Sequence, residues 1–164
     1  MDRIEDLVEN LGLVPHPEGG YYRETYRADG SFDLSNNTDY DGERNYATAI
    51  YFLLTEGNFS AWHRIKQDEV WHFYSGSPLA VHAISQEGEY SKTLLGQSTG
   101  KGEVFQYVVP GGHWFASESL GAFSLVGCTV SPGFDFKDFE LAKREELQVL
   151  FPEHRRIIED LTRI

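Results

Sequence analysis

Apolar positions along the chain change their period twice, and each change marks a different kind of element. Near the N-terminus Ile4, Leu7, Val8 and Leu11 recur at helical spacing. A short amphipathic helix is predicted from Asp2 to Leu11, with Asp2 and Glu5 as a capping box and Gly12 as its stop. Pro15 and Pro17 forbid its continuation. From Tyr21 the period drops to two. After the Glu18-Gly19-Gly20 turn, Tyr21–Arg27 alternates as a strand, with Tyr22, Glu24 and Tyr26 on one face. Residues 28–43 offer little to bury, which predicts a long surface loop and a candidate lid. The most apolar stretch, Asn45–Thr55, reads as a central strand rather than a helix, because Thr, Ile, Tyr and Phe favour a pleated surface.

Alternation then continues through two strands between Gly57 and Gly76, joined by a tight turn at Lys66–Asp68. Further strands are predicted at Pro78–Ser85, Ser91–Leu95, Val104–Val109, His113–Ser117 and Phe123–Val130. About nine strands at roughly ten-residue spacing, with turn signals between them, form a sandwich or barrel pattern. Beyond Pro132-Gly133 the period returns to helical. Asp138–Leu150 is helical in composition with Asp138 as N-cap, and Pro152 opens a second helix whose Ile157, Ile158 and Leu161 form the buried stripe. The expected organisation is one domain over residues 1–164, with a β core at about 21–131 and helices at about 136–163 packed on its outside.

Composition narrows the partners. A net charge of −12 argues against nucleic acid or an anionic membrane. An anionic substrate would need a local basic patch, for which Arg23, Arg27, Arg44 and Arg64 are the candidates. The lone cysteine, Cys128, excludes an intrachain disulfide, and its apolar setting marks it as an inert core thiol. No apolar run suits a signal peptide or reaches membrane-spanning length, so a soluble, cytoplasmic protein is expected.

The chemistry concentrates in GNFSAWHRIKQDEVWHFYSG, residues 57–76. Period-two alternation across the turn lets His63, Ile65, Glu69 and Trp71 point to one side. An imidazole and a carboxylate sharing a concavity can hold a cation, move a proton or grip a polar ligand. The plainer alternative is a buried His–Glu hydrogen bond that only stabilises a core. Phosphate-cradling glycine loops, nucleophile elbows and HExxH helices are absent.

The spacing Gly57, His63, Ile65, Glu69, Gly76 resembles the first signature of the cupin superfamily, and Pro110-Gly111-Gly112 with its following strand resembles the second. The strings TAIYFLL, SAWHRI, DEVWHFYSG, VVPGGHWFAS and GCTVSPGFDF are similar to the DUF985 (cupin_5) group, from about Leu13 to about Leu141. The resemblance implies an all-β fold, the double-stranded β-helix or jelly-roll barrel, with an internal pocket and a homodimeric state. It does not by itself supply an activity.

Metal-binding cupins use two histidines and a glutamate of the first signature and one histidine of the second. Here His63 and Glu69 occupy two of those places, while Ile65 and Phe115 occupy the others with carbon. No cofactor is therefore predicted. A divalent metal, were one bound, would draw on His63, Glu69 and His113, the last being two residues before Phe115 and on its face. Alternation sends His72 away from the pocket unless a bulge intervenes.

A second hypothesis follows from a faint likeness of PEGGYYRETYR and SAWHRI to nucleotide-sugar 3,5-epimerases. His63 would be the base, Glu69 its orienting carboxylate and a tyrosine the acid. In the third, favoured reading the pocket binds a small polar or sugar-like metabolite. His63, Glu69 and His113 would be its polar anchors, and Ile65, Trp71, Phe73 and Phe115 its wall. Trp62 and Trp114 fall on the opposite faces and are expected at sheet packing or dimer contacts.

Overall fold

A computed structural model describes residues 3–37 and 39–164. The proposed capping role of Asp2 lies outside them. Helix α1 (Ile4–Leu11) is instead entered through Asp6, whose carboxylate accepts the Arg3 backbone N–H at 3.3 Å, and it ends on Gly12 in the left-handed conformation at φ 62°. Its Leu7 packs with Leu13, Leu53, Phe123 and Leu125 on the outside of a sheet.

The strands that follow are β1 (Val14–Pro15), β2 (Tyr21–Arg27), β3 (Ser31–Asp33), β4 (Glu43–Asn45), β5 (Thr48–Thr55), β6 (Phe59–Arg64) and β7 (Asp68–Gly76). They continue with β8 (Leu79–Ile84), β9 (Tyr90–Leu95), β10 (Gln106–Val109), β11 (Trp114–Ser119), β12 (Phe123–Ser131) and β13 (Glu140–Leu141). One sheet has the order β1-β2-β5-β12-β7-β10 and the other β13-β6-β11-β8-β9, with antiparallel neighbours throughout. This is the expected jelly-roll arrangement of two facing sheets.

Three placements differ from the sequence reading. Residues 28–43 are not one uninterrupted loop, because β3 pairs with β4 as a separate hairpin. The strands on either side of Lys66–Asp68 do not pair with each other: β6 belongs to one sheet and β7 to the other. The turn therefore crosses between layers, and His63 and Glu69 stand on opposite sheets instead of side by side on one. Tyr26 is 57% exposed, because a register shift between Glu24 and Tyr26 breaks the alternation of β2.

Apolar side chains fill one end of the space between the sheets, where Leu54, Phe73, Leu79, Leu95, Val109 and Phe115 cluster. Strand β8 is buried along its whole length because both faces are covered. Leu79, Val81 and Ala83 face this cluster, while Ile84 packs under the C-terminal helices α2 (Arg144–Leu150) and α3 (Arg155–Asp160). Trp62 and Trp114 lie in that second layer with Leu147, Phe151, Ile158 and Leu161. The two tryptophans are thus packed with the chain's own helices, the sheet-packing role expected of them.

Asp138 is not a helix cap. Helix α2 begins six residues later, and the Asp138 side chain is buried where it receives Arg44 Nε at 2.7 Å, Arg44 Nη2 at 2.8 Å and Gln67 Nε2 at 2.8 Å. Burial works to raise this carboxyl, and the hydrogen bonds from Arg44 and Gln67 more than offset it, holding it below the ordinary aspartate value. The pair pins the segment after β12 to β4 and to the β6–β7 crossing. Asp138→Ala is expected to cost about 3 kcal/mol in urea unfolding, since Arg44 is left buried without its partner, whereas the Arg44→Met/Asp138→Ala double variant recovers part of that loss. A change below about 0.5 kcal/mol in the single variant would remove Asp138 as an anchor.

Candidate functional site

At the other end of the interior the apolar filling stops and a cavity opens. Its walls come from both sheets: Thr48, Ile50 and Phe52 of β5, His63 of β6, Glu69 and Trp71 of β7, and Cys128 and Val130 of β12. Ile65, Ser60, Phe134 and Phe139 complete the lining together with His16, Glu18 and Tyr22. The cavity volume is about 60 Å³, above the roughly 10–15 Å³ needed to hold one water.

Of the residues singled out in the sequence, His63, Ile65, Glu69 and Trp71 come together on this wall. Phe73 and Phe115 do not line it. They sit behind it in the apolar cluster, with the Phe115 ring centroid 4.1 Å from that of His63. His113 stands before β11, outside the lining, and its Nδ1 is buried without a hydrogen-bond partner. His72 lies on the outer face, its Nε2 2.9 Å from Thr129 Oγ1. Cys128, expected as a core thiol, is buried yet forms part of the cavity wall, and burial followed by the neighbouring Glu69 raises its pKa well above the ordinary thiol value.

The carboxylate that faces His63 is Glu18, which the sequence presents only as part of a turn. The chain reverses between His16 and Gly20, with His16 N–H donating to Gly20 O at 2.9 Å and Gly19 N–H to His16 O at 3.0 Å. Gly19 has φ 111°, and a Cβ there would lie 2.1 Å from Phe59 O, so only glycine lets the turn approach β6 this closely. Ala61 N–H then bonds Glu18 O at 3.1 Å, and the Arg163 guanidinium donates to the same carbonyl. These ties drive the Glu18 side chain inward, where it is 6% exposed.

Glu18 Oε1 lies 3.8 Å from His63 Nε2, and Oε2 lies 2.7 Å from His16 Nδ1. The second contact is short but poorly aligned, and Oε2 has no hydrogen-bond partner by angle. Burial acts to raise the Glu18 carboxyl; His63, His16 and its own backbone N–H outweigh it and hold the group below its ordinary value. His63 moves down, because burial exceeds the opposing pull of Glu18. Its Nδ1 is 2.7 Å from Ala61 O, an acceptor only, so the neutral ring carries its proton there and turns the Nε2 lone pair toward Glu18.

Glu69 behaves differently. Burial, reinforced by the charge of Glu18, lifts its carboxyl to about 8, with the Cys128 thiol working weakly the other way. The carboxyl nearest His63 is thus Glu18 in place of the expected Glu69, and the hydrogen bond that orients the ring goes to Ala61 O. The cavity holds one carboxylate and one carboxylic acid near neutral pH. Ser60 Oγ and Trp71 Nε1, also on the wall, have no hydrogen-bond partner in the protein.

The donors for the metal set of the first and second signatures do not fit. Ile65 and Phe115 offer only carbon at two of its four positions, which leaves His63 and Glu69 alone of that set. Among the described residues no group of three or more His, Cys, Asp or Glu side chains is placed to hold a metal ion. Of the four arginines considered for an anion, none lines the cavity. Arg44 is paired with Asp138, and Arg64 bonds Glu140 at 2.8 Å beside a separate, more open depression. No helix among the described residues is long and apolar enough to cross a membrane.

Comparisons with known proteins agree with this fold. A family model described as "Cupin superfamily (DUF985)" matches residues 5–142. An uncharacterized protein of Saccharomyces cerevisiae is 30% identical over 156 residues, covering 87% of this chain and 77% of its own. A hypothetical protein from Leishmania major superposes with TM-score 0.92 at 36% identity, over 99% of this chain and 100% of that one. A protein from Shewanella oneidensis does so with TM-score 0.91 at 41% identity, over 99% of both chains. Oxalate decarboxylase from Bacillus subtilis matches at TM-score 0.56 and 15% identity, with 90% of this chain covering 36% of that one, a likeness of fold alone.

The raised carboxyl of Glu69 makes stability depend on pH in a defined sense. Between its ordinary value of 4.5 and about 8 the folded state holds a proton that the unfolded state has released, so this group's contribution falls as pH rises through that window. Glu69→Gln removes the dependence. Relative to the wild type, the variant is expected to gain about 2 kcal/mol on going from pH 5 to pH 8.5, a figure reduced for partial exposure at the cavity. Parallel stability–pH curves for the two proteins would show that Glu69 titrates normally.

Proposed function

This chain belongs to the cupin superfamily (DUF985), and from that premise we propose that the cavity binds a small polar molecule. The observation that carries the reading is the pair of polar atoms on the wall with no protein partner, Ser60 Oγ and Trp71 Nε1, beside a Glu18 Oε2 whose one contact, 2.7 Å to His16 Nδ1, is poorly aligned. A buried polar group without a hydrogen bond destabilises a fold by about 1–3 kcal/mol. Such atoms gathered in one cavity fit a site whose hydrogen bonds are completed by an occupant, with the rings of Tyr22, Phe52 and Phe139 supplying contact area.

A second reading, metal-independent proton transfer on the bound molecule, is favoured by the separation of the two carboxyls. Glu18 is held ionised and Glu69 is held protonated to about 8, next to a neutral imidazole whose Nε2 accepts. Environments that push two acids apart set up a base and an acid in one site. The small, partly apolar cavity and its unpaired polar atoms support the binding reading without requiring this chemistry.

Ser60→Ala is expected to leave the ligand-free protein as stable as the wild type or slightly more so, because it removes an unpaired polar atom. It should weaken stabilisation by a hit from a metabolite thermal-shift screen by about tenfold in apparent affinity. Loss of stability without ligand would instead assign this hydroxyl to the core. For proton transfer, Glu69→Gln should keep binding but abolish deuterium uptake from solvent into the bound ligand; unchanged uptake would end that reading.

A further inference from the structure

We propose that the cavity selects a small organic ammonium ion that also carries an oxygen acceptor, its nitrogen seated between the Glu18 carboxylate and His63 Nε2. This rests on the binding reading above and names the class of molecule bound.

Charge gives the first reason. The lining contains two carboxyl groups and neither lysine nor arginine. The nearest guanidinium, that of Arg163, is occupied by Glu18 O, Asn58 Oδ1 and Phe59 O. An anionic occupant would meet the Glu18 carboxylate in a desolvated space whose two imidazoles, His16 and His63, already face that carboxylate, which is costly.

Hydrogen-bond inventory gives the second. Glu18 Oε1 and His63 Nε2 are 3.8 Å apart, too far for a bond between them, and with the His63 proton committed to Ala61 O both are acceptors. A nitrogen about 2.8 Å from each bridges them with two N–H groups, and a third N–H remains for Glu18 Oε2, whose contact to His16 Nδ1 is poorly aligned. A hydroxyl has one hydrogen and satisfies one acceptor. Around this point the cavity presents the aromatic rings of Tyr22, Phe52, Trp71, Phe134 and Phe139, and ring faces attract cations most strongly where water is excluded.

The remaining unpaired donor sets the other end of the molecule. Trp71 Nε1–H can only donate, and Ser60 Oγ–H can donate as well. A hydroxyl or carbonyl oxygen on the same ligand answers them. An amino alcohol therefore matches the wall better than a polyol, a simple amine or an acid.

The test is a titration of the full chain with 3-amino-1-propanol, 1,3-propanediol and 3-hydroxypropanoate, three molecules alike except for the charge at one end. It is run at about pH 7.2, above the ordinary imidazole value and below the point near 8 where Glu69 titrates, and followed by the NMR resonances of the Trp71 indole and the His63 ring. The amino alcohol is expected to bind at least about tenfold more tightly than the diol, and the acid to give no saturable shift. Glu18→Gln should bring the amino alcohol down to the affinity of the diol, and Phe139→Leu should weaken it several-fold. Should Glu18→Gln fail to fold, the wild-type series and Phe139→Leu decide. Equal or tighter binding of the diol or the acid overturns the ammonium assignment and leaves a small-molecule site standing. If none of the three moves either resonance, the binding reading falls with it.

Discussion

A carboxylate kept ionised inside a mostly apolar interior governs the layout of this molecule. Glu18 reaches the cavity only because a glycine turn lies against β6, and its backbone is held by Ala61 and Arg163 on either side. Its charge is then felt by every titrating neighbour: it opposes the fall of His63 and helps the rise of Glu69. Desolvation would otherwise neutralise such a group. Removing the ties of the turn would release the constraint that sets three protonation states at once.

The division of the interior follows from the same economy of space. Aromatic and aliphatic side chains of both sheets pack solidly at one end, with Trp71 at the boundary, in contact with Phe52 at 6.1 Å and Phe115 at 6.2 Å between ring centroids. Beyond Trp71 the wall turns polar, and the β12 positions there carry Cys128 and Val130, too small to fill the gap. The cavity is thus a property of side-chain size along β12 and β7, while the sheets themselves continue unbroken past it.

Much of this was legible in the sequence, and the failures share a cause. Alternation correctly turned His63, Ile65, Glu69 and Trp71 inward, since a buried strand leaves a period-two record. Glu18 left none. A glutamate between Pro17 and Gly19 reads as a solvated turn residue, and the only hint was His16 two positions earlier beside an aromatic strand. Asp138 was misleading for a similar reason: ahead of a helical composition it looks like a cap, but its partner Arg44 is 94 residues away. Local pattern registers which face a residue occupies, and it is blind to a charge pair closed across the fold. The β3–β4 hairpin was hidden by its Asp- and Asn-rich surroundings, which outweigh two three-residue strands in any reading by composition.

The buried Asp138 has a consequence for how the cavity can vary. Phe134 and Phe139 form part of the cavity wall, and the Phe139 ring centroid is 5.3 Å from that of His63. The peg that fixes their segment, Asp138 with Arg44 and Gln67, points away from the cavity into a different neighbourhood. Anchorage and contact are therefore carried by separate side chains on one short strap. Rings of other sizes at 134 or 139 would reshape what the cavity accepts while the strap stays moored, so the wall is modular in a way that the sheet positions, each packed on two sides, are not.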